Sequence, residues 1–120
     1  MDNYDRMEYL RDKIEEYRGY IDELEEACSF ANDMRAKIRS DNEETVRSFD
    51  ISSSGAWEGN LESKAEDYRS DIICGIAAGQ NLSSEFISDI QKIIETLREK
   101  IDEYESELSS LESAQSNSVY

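Results

Sequence analysis

Histidine and proline are absent from the 120 residues, and cysteine occurs only twice. Without histidine, the chain lacks the commonest general base and the commonest transition-metal ligand. Without proline, no residue interrupts a long helix from within. Cys28 and Cys74 are too few for a disulfide scaffold, and neither has a histidine partner for nucleophilic catalysis. We therefore expect no cofactor, no metal site and no enzymatic activity.

Basic residues are also scarce, with 13 Lys and Arg against 29 Asp and Glu, a net charge of −16. This balance excludes nucleic acid and anionic membranes as natural partners, because both require a basic surface. The acids either solvate the surface or bind a basic protein, and Arg35, Lys37 and Arg39 form the only basic concentration. No apolar run has membrane-spanning length, and residues 1–6 do not resemble a leader. We expect a cytoplasmic protein, or one exported without a cleaved leader.

Apolar residues recur at alternating spacings of three and four along both halves of the chain, which is the heptad pattern of packed helices. The pattern stops at a Ser- and Gly-rich stretch, residues 53–60. We predict an all-α fold, a single antiparallel helical hairpin. Helix one spans about 4–49, the bend about 50–56, helix two about 57–113, and a loose tail follows at 114–120. Gly75 and Gly79 predict either a kink within residues 75–82 or a flat surface where another helix packs closely.

The two apolar stripes meet in a single antiparallel alignment, which places Tyr17 opposite Leu97 and Ile21 opposite Ile93. This alignment separates the two cysteines, so both thiols are expected to be free and buried. The predicted seam between the helices consists of Leu10, Ile14, Tyr17, Ile21, Leu24, Phe86, Ile90, Ile93, Leu97 and Ile101.

One interface between two helices leaves further apolar side chains without cover. We predict that they face a partner: Tyr9, Tyr20, Phe30, Ile73, Ile94 and Tyr104. A second hairpin would bury them in a four-helix bundle. We therefore expect a homodimer or a heterodimer.

The bend contains the only tryptophan, in the sequence Trp57-Glu58-Gly59, preceded by Gly55. Trp-x-Gly in a bend between two long helices of a short acidic chain resembles the WXG superfamily, the ESAT-like helical hairpins exported by type VII (ESX) secretion systems. The resemblance implies hairpins that pair into four-helix bundles. Trp57 either staples the bend by packing on both helices or, as the resemblance implies, is recognised by a secretion component.

Many members of that superfamily carry a tyrosine followed four residues later by Asp or Glu, after helix two. Here Tyr104 is followed at that spacing by Leu108. In lacking this acidic residue, the chain is similar to the small hairpin proteins that accompany LXG-type toxins in Gram-positive bacteria. The resemblance then implies a partner or targeting subunit for a larger toxin, which binds the toxin's N-terminal helical domain. The alternatives are a structural homodimeric coiled coil and a directly secreted WXG effector dimer.

Overall fold

The computed structural model describes residues 2–49 and 59–118, and these ranges contain helices and no strand. Helix α1 spans Asn3–Lys37, α2 spans Glu44–Ser48, and α3 spans Gly59–Ser118. A π-helical segment, Ile38–Glu43, joins α1 to α2. The all-helical fold class is therefore confirmed.

The π-helical segment lies where the sequence has Ser40, Asp41 and Asn42. Short polar side chains compete with the backbone for hydrogen bonds and are poor formers of a regular α-helix. The Ser40 hydroxyl lies 3.4 Å from the Lys37 carbonyl oxygen and 3.1 Å from a carboxylate oxygen of Asp41. The predicted single helix at 4–49 is thus helical as far as Ser48, with one change of helix type inside it.

Helix α3 runs without a break through residues 75–82, so of the two alternatives for this stretch the break is wrong. The Ser83 hydroxyl, which could have capped a new helix, instead donates to the Gly79 carbonyl oxygen four residues back, at 3.0 Å. The predicted loose tail is also wrong for residues 114–118, which extend α3. These residues are polar, but they include no glycine or proline that would end a helix.

The chain divides into two units, Met1–Cys28 with Ser88–Tyr120 (unit 1) and Ser29–Ile87 (unit 2). In unit 1 the two segments lie antiparallel, since Arg18 pairs with Glu105 and Glu25 pairs with Arg98. Between them lies an apolar core made of Met7, Leu10, Ile14, Ile21, Cys28, Ile90, Ile94 and Ile101. Leu10 is completely buried.

Unit 2 pairs residues of α1, the π-helical segment and α2 with the first half of α3, again in antiparallel order. The Gln80 amide donates to the Arg35 carbonyl oxygen at 3.0 Å, and Thr45 shares a groove with Ala65. Among the described residues of unit 2, Ile87 alone is buried. Unit 2 therefore has two helical layers and almost no core of its own. Cys74 lies in this unit and is exposed, which corrects the expectation of a buried thiol.

Candidate protein-binding surface

The seam of unit 1 follows the predicted stripe along α1 but not along α3. Leu10, Ile14 and Ile21 are buried, as are Ile90 and Ile101, whereas Tyr17, Leu24 and Leu97 are partly buried. Ile93 was predicted in the seam but is 50% exposed, and its neighbour Ile94 is buried instead. Spacings of three and four residues lead from Ile90 to Leu97 through either Ile93 or Ile94, and packing on the opposite helix selects Ile94.

The prediction for Phe86, in unit 2, is wrong in the same way. Phe86 was predicted in the seam, but it is 58% exposed, while its neighbour Ile87 is buried. In both places two large apolar residues stand side by side in the sequence. Hydrophobicity alone does not say which of the two faces the opposite helix.

The predicted partner-facing residues fall into three groups. Tyr9, Tyr20 and Phe30 are exposed, so they are accessible to a partner. Ile73 and Tyr104 are half-buried, and Tyr104 stacks on Tyr17 with ring centroids 5.9 Å apart. Ile94 is buried in the core of unit 1, so its assignment to a partner surface is wrong.

Gly55 and Trp57, the predicted bend residues, lie outside the described residues. Gly59 is the first residue of α3.

The acids of unit 1 are partly neutralised within the chain. Each of its four arginines binds a glutamate on the opposite helical segment, as Arg6 does with Glu107 at 2.5 Å. The other pairs are Arg11–Glu112, Arg18–Glu105 and Arg98–Glu25. A basic partner is therefore not the only source of countercharge for this unit.

One of these pairs shifts the pKa of both side chains. The hydrogen bond from Arg6 holds the pKa of Glu107 below its ordinary value, and the same bond raises the pKa of Arg6. A second cluster behaves likewise: the Tyr20 hydroxyl donates to Glu16 at 2.6 Å and lowers the pKa of that carboxyl, with a smaller effect from Lys13. These shifts come from structural contacts on exposed helical faces rather than from burial in a reactive site.

Unit 2 has an open apolar groove of about 470 Å³ between α2 and α3. Three of its residues, Phe49, Tyr68 and Ile72, are large apolar side chains that remain exposed. The lining residues are Thr45, Val46, Phe49, Ala65, Tyr68, Arg69 and Ile72. Large apolar side chains left open to water in this way mark sites of protein association.

A second groove, of about 440 Å³, continues from the first, because both are lined by Ile72. It is lined by Ile38, Ile72, Gly75, Ile76, Gly79, Gln80 and Ser83. A Cβ atom added at Gly75 or at Gly79 would meet no atom within 4 Å. The glycines therefore make a shallow surface that a helix backbone could approach closely. We call the residues lining the two grooves the apolar face.

Unit 2 also holds three buried polar atoms that have no hydrogen-bond partner within the described ranges: Nε of Arg35, Nη2 of Arg69 and Oε1 of Gln80. Arg69 and Gln80 line the apolar face. A buried polar atom without a partner costs about 1–3 kcal/mol. Within the described part of unit 2, some buried polar atoms therefore lack hydrogen-bond partners, just as several large apolar side chains lack packing partners.

The described part of the chain offers no group of three or more His, Cys, Asp and Glu residues that could hold a metal ion. Nor does any of its helices combine the length and apolar character needed to cross a membrane. Comparisons with protein-family models, with characterised proteins and with solved structures found no match.

Proposed function

We propose that this chain is a protein-binding helical hairpin whose apolar face completes its packing on the helices of a partner. The observation that carries the proposal is the small number of buried residues in unit 2. Among its described residues only Ile87 is buried, while Phe49 and Tyr68, which line the apolar face, are each more than 60% exposed. Burying such a side chain fully contributes about 1.5–3 kcal/mol, so a partner gains substantial free energy by covering this face.

A helical partner fits this face better than an extended peptide. An extended peptide adds to the edge of a sheet, and the described ranges contain no strand to receive it. A groove between two antiparallel helices instead accepts the apolar stripe of a third or fourth helix. The expected product is a four-helix bundle, formed with a second hairpin or with a helical domain of a larger protein.

The biological setting that we propose is a bacterial type VII secretion system. The support is the resemblance of Trp57-Glu58-Gly59, between two helical segments, to the WXG superfamily. The missing acidic residue four positions after Tyr104 favours a dependent partner over a self-exporting effector. We propose that the chain binds the N-terminal helical domain of an LXG-type toxin and helps to target that toxin for secretion.

The test is co-expression with the N-terminal helical domain of an LXG toxin encoded beside this chain, followed by co-purification. The wild-type protein should form a stable complex. Tyr68→Ser should weaken the complex by roughly tenfold or more, as truncation of an interface anchor does, while circular dichroism shows an unchanged helical content. Tyr4→Ser is the matched control, because Tyr4 is similarly exposed but belongs to unit 1.

A protein that remains a homodimer and does not bind the toxin domain would refute the secretion setting and favour the homodimeric coiled coil. The role of Trp57 is tested separately by Trp57→Ala. Loss of export with an unchanged thermal melt would assign Trp57 to recognition, whereas a large fall in melting temperature would assign it to the bend.

A further inference from the structure

The three cations of α1 and the adjoining π-helical segment differ from the arginines of unit 1. Arg35, Lys37 and Arg39 make no ion pair with any described residue, although the chain has more than twice as many acids as bases. Asp33 lies four residues before Lys37, a spacing suited to an ion pair on a helix, yet no such pair forms. We call Arg35, Lys37 and Arg39 the basic cluster.

The basic cluster borders the apolar face. Ile38, which lines the second groove, stands between Lys37 and Arg39 in the sequence. Gln80 lines the same groove, and its amide donates to the carbonyl oxygen of Arg35. Residues two apart in a helix project from opposite sides, whereas residues four apart share a side. The cations therefore flank Ile38, with Arg35 and Arg39 on one side and Lys37 on the other.

The local charge also differs from that of the whole chain. Unit 2 contains 6 of the 13 basic residues and 11 of the 29 acids in the sequence, whereas unit 1 contains the other 18 acids. Lys37 and Arg39 are exposed. Arg35 is partly buried, and its Nε lacks an acceptor among the described residues. Complementary charge at a binding surface selects partners and orients them.

We propose that the apolar face binds an amphipathic helix whose apolar stripe is flanked by Asp and Glu, and that these carboxylates bind the basic cluster. This inference rests on the proposed function and names the chemistry of the partner. The net charge of −16 suggests a basic partner, whereas this surface is expected to prefer an acidic one. The interaction is local because salt screens charges beyond about 8–10 Å at physiological ionic strength.

The test uses two synthetic helical peptides with identical apolar residues, one with Glu and one with Lys at every position flanking the stripe. Each peptide carries a fluorescent label, and its affinity for the full chain is measured by anisotropy at low and at high salt. The Glu peptide should bind about tenfold more tightly than the Lys peptide at low salt, and the difference should shrink as salt is added.

Lys37→Glu should abolish or invert this preference. Lys92→Glu is the matched control, because Lys92 is also an exposed lysine without an ion pair among the described residues but belongs to unit 1. Both variants change the net charge by the same amount, so only a local contact with the basic cluster can separate them. Circular dichroism of both variants verifies that the helices remain folded.

Equal affinities, tighter binding of the Lys peptide, failure of both peptides to bind, or equal effects of the two variants would each overturn the proposal. A homodimer that Lys37→Glu dissociates would also overturn it, since the occupant would then be a second copy. Co-purification with the toxin domain distinguishes a failure of this inference from a failure of the proposed function. If Lys37→Glu leaves that complex intact while Tyr68→Ser disrupts it, the proposed function stands and the acidic partner helix is refuted.

Discussion

Ile93 and Ile94 are adjacent in α3, yet they have opposite environments. Ile94 is 5% exposed and belongs to the core of unit 1, whereas Ile93 is 50% exposed. Successive residues of a helix point about 100° apart, so only one of two adjacent side chains can face the opposite helix directly. The different exposures of these two side chains therefore show which face of α3 is turned toward the core of unit 1.

This orientation of α3 predicts unequal effects of the same substitution at the two positions. Ile94→Ala removes packed methyl groups from a core and should lower the free energy of unfolding by about 2–4 kcal/mol. Ile93→Ala should lower it by less than about 1 kcal/mol, because the lost burial is small and alanine favours the helix. Chemical denaturation of both variants measures the difference. Equal losses would place α3 at a different rotation.

The sequence pattern predicts the helical fold class well because heptad spacing is a local property. It does not predict the faces of Phe86 and Ile93, because each has an equally apolar neighbour and only contact with the opposite helix selects between them. The apolar face is also hard to foresee. Thr45, Ala65 and Gly79 lie far apart in the sequence, and they form one surface only when α2 and the π-helical segment pack on α3.

The alignment of the helices in unit 1 also differs from the predicted one. Tyr17 stacks on Tyr104, one heptad beyond the predicted neighbour Leu97, with an interplanar angle of 24°. Ile21 likewise shares a groove with Ile101 rather than with Ile93. A shift of one heptad keeps every seam position in the seam, so the apolar pattern fits both alignments. Specific contacts select one, and these include the pairs Arg11–Glu112, Arg18–Glu105 and Arg98–Glu25.

This alignment predicts an energetic coupling between the two tyrosines. In a double-mutant cycle of Tyr17→Ala and Tyr104→Ala, we expect a coupling energy of about 0.5–1.5 kcal/mol, as for stacked aromatic pairs. The parallel cycle of Tyr17→Ala with Leu97→Ala should give a much smaller coupling. Chemical denaturation of the single and double variants supplies both values. A larger coupling to Leu97 would restore the alignment predicted from the sequence.

The Arg6–Glu107 pair predicts a pH-dependent contribution to stability. Hydrogen bonding to Arg6 lowers the pKa of Glu107 in the folded chain, so the unfolded chain binds this proton more readily. The stabilisation is therefore complete above the ordinary glutamate pKa of 4.5 and is lost as the pH falls through the lower pKa of the folded state. Glu107→Gln should melt at a lower temperature than the wild type near neutral pH, and the difference should disappear in acid.

Glu99→Gln is the control for this measurement. It removes one negative charge from the same helix, and Glu99 makes no ion pair with the residues that the structure describes. If both variants lose the same amount of stability at every pH, the effect belongs to net charge and not to the Arg6 contact.

The open glycines of the apolar face predict opposite effects on folding and on binding. Gly75→Ala and Gly79→Ala should each stabilise the free protein by about 0.5–1 kcal/mol, since alanine favours a helix and the added methyl groups meet no neighbouring atom. Gly19→Ala should stabilise unit 1 similarly, because its site is equally open. Only the substitutions at Gly75 and Gly79 should weaken the complex with the toxin domain, because their methyl groups hold a packed helix away. Thermal melts and co-purification of the three variants test this. Unchanged binding would show that the partner helix does not pack over these glycines.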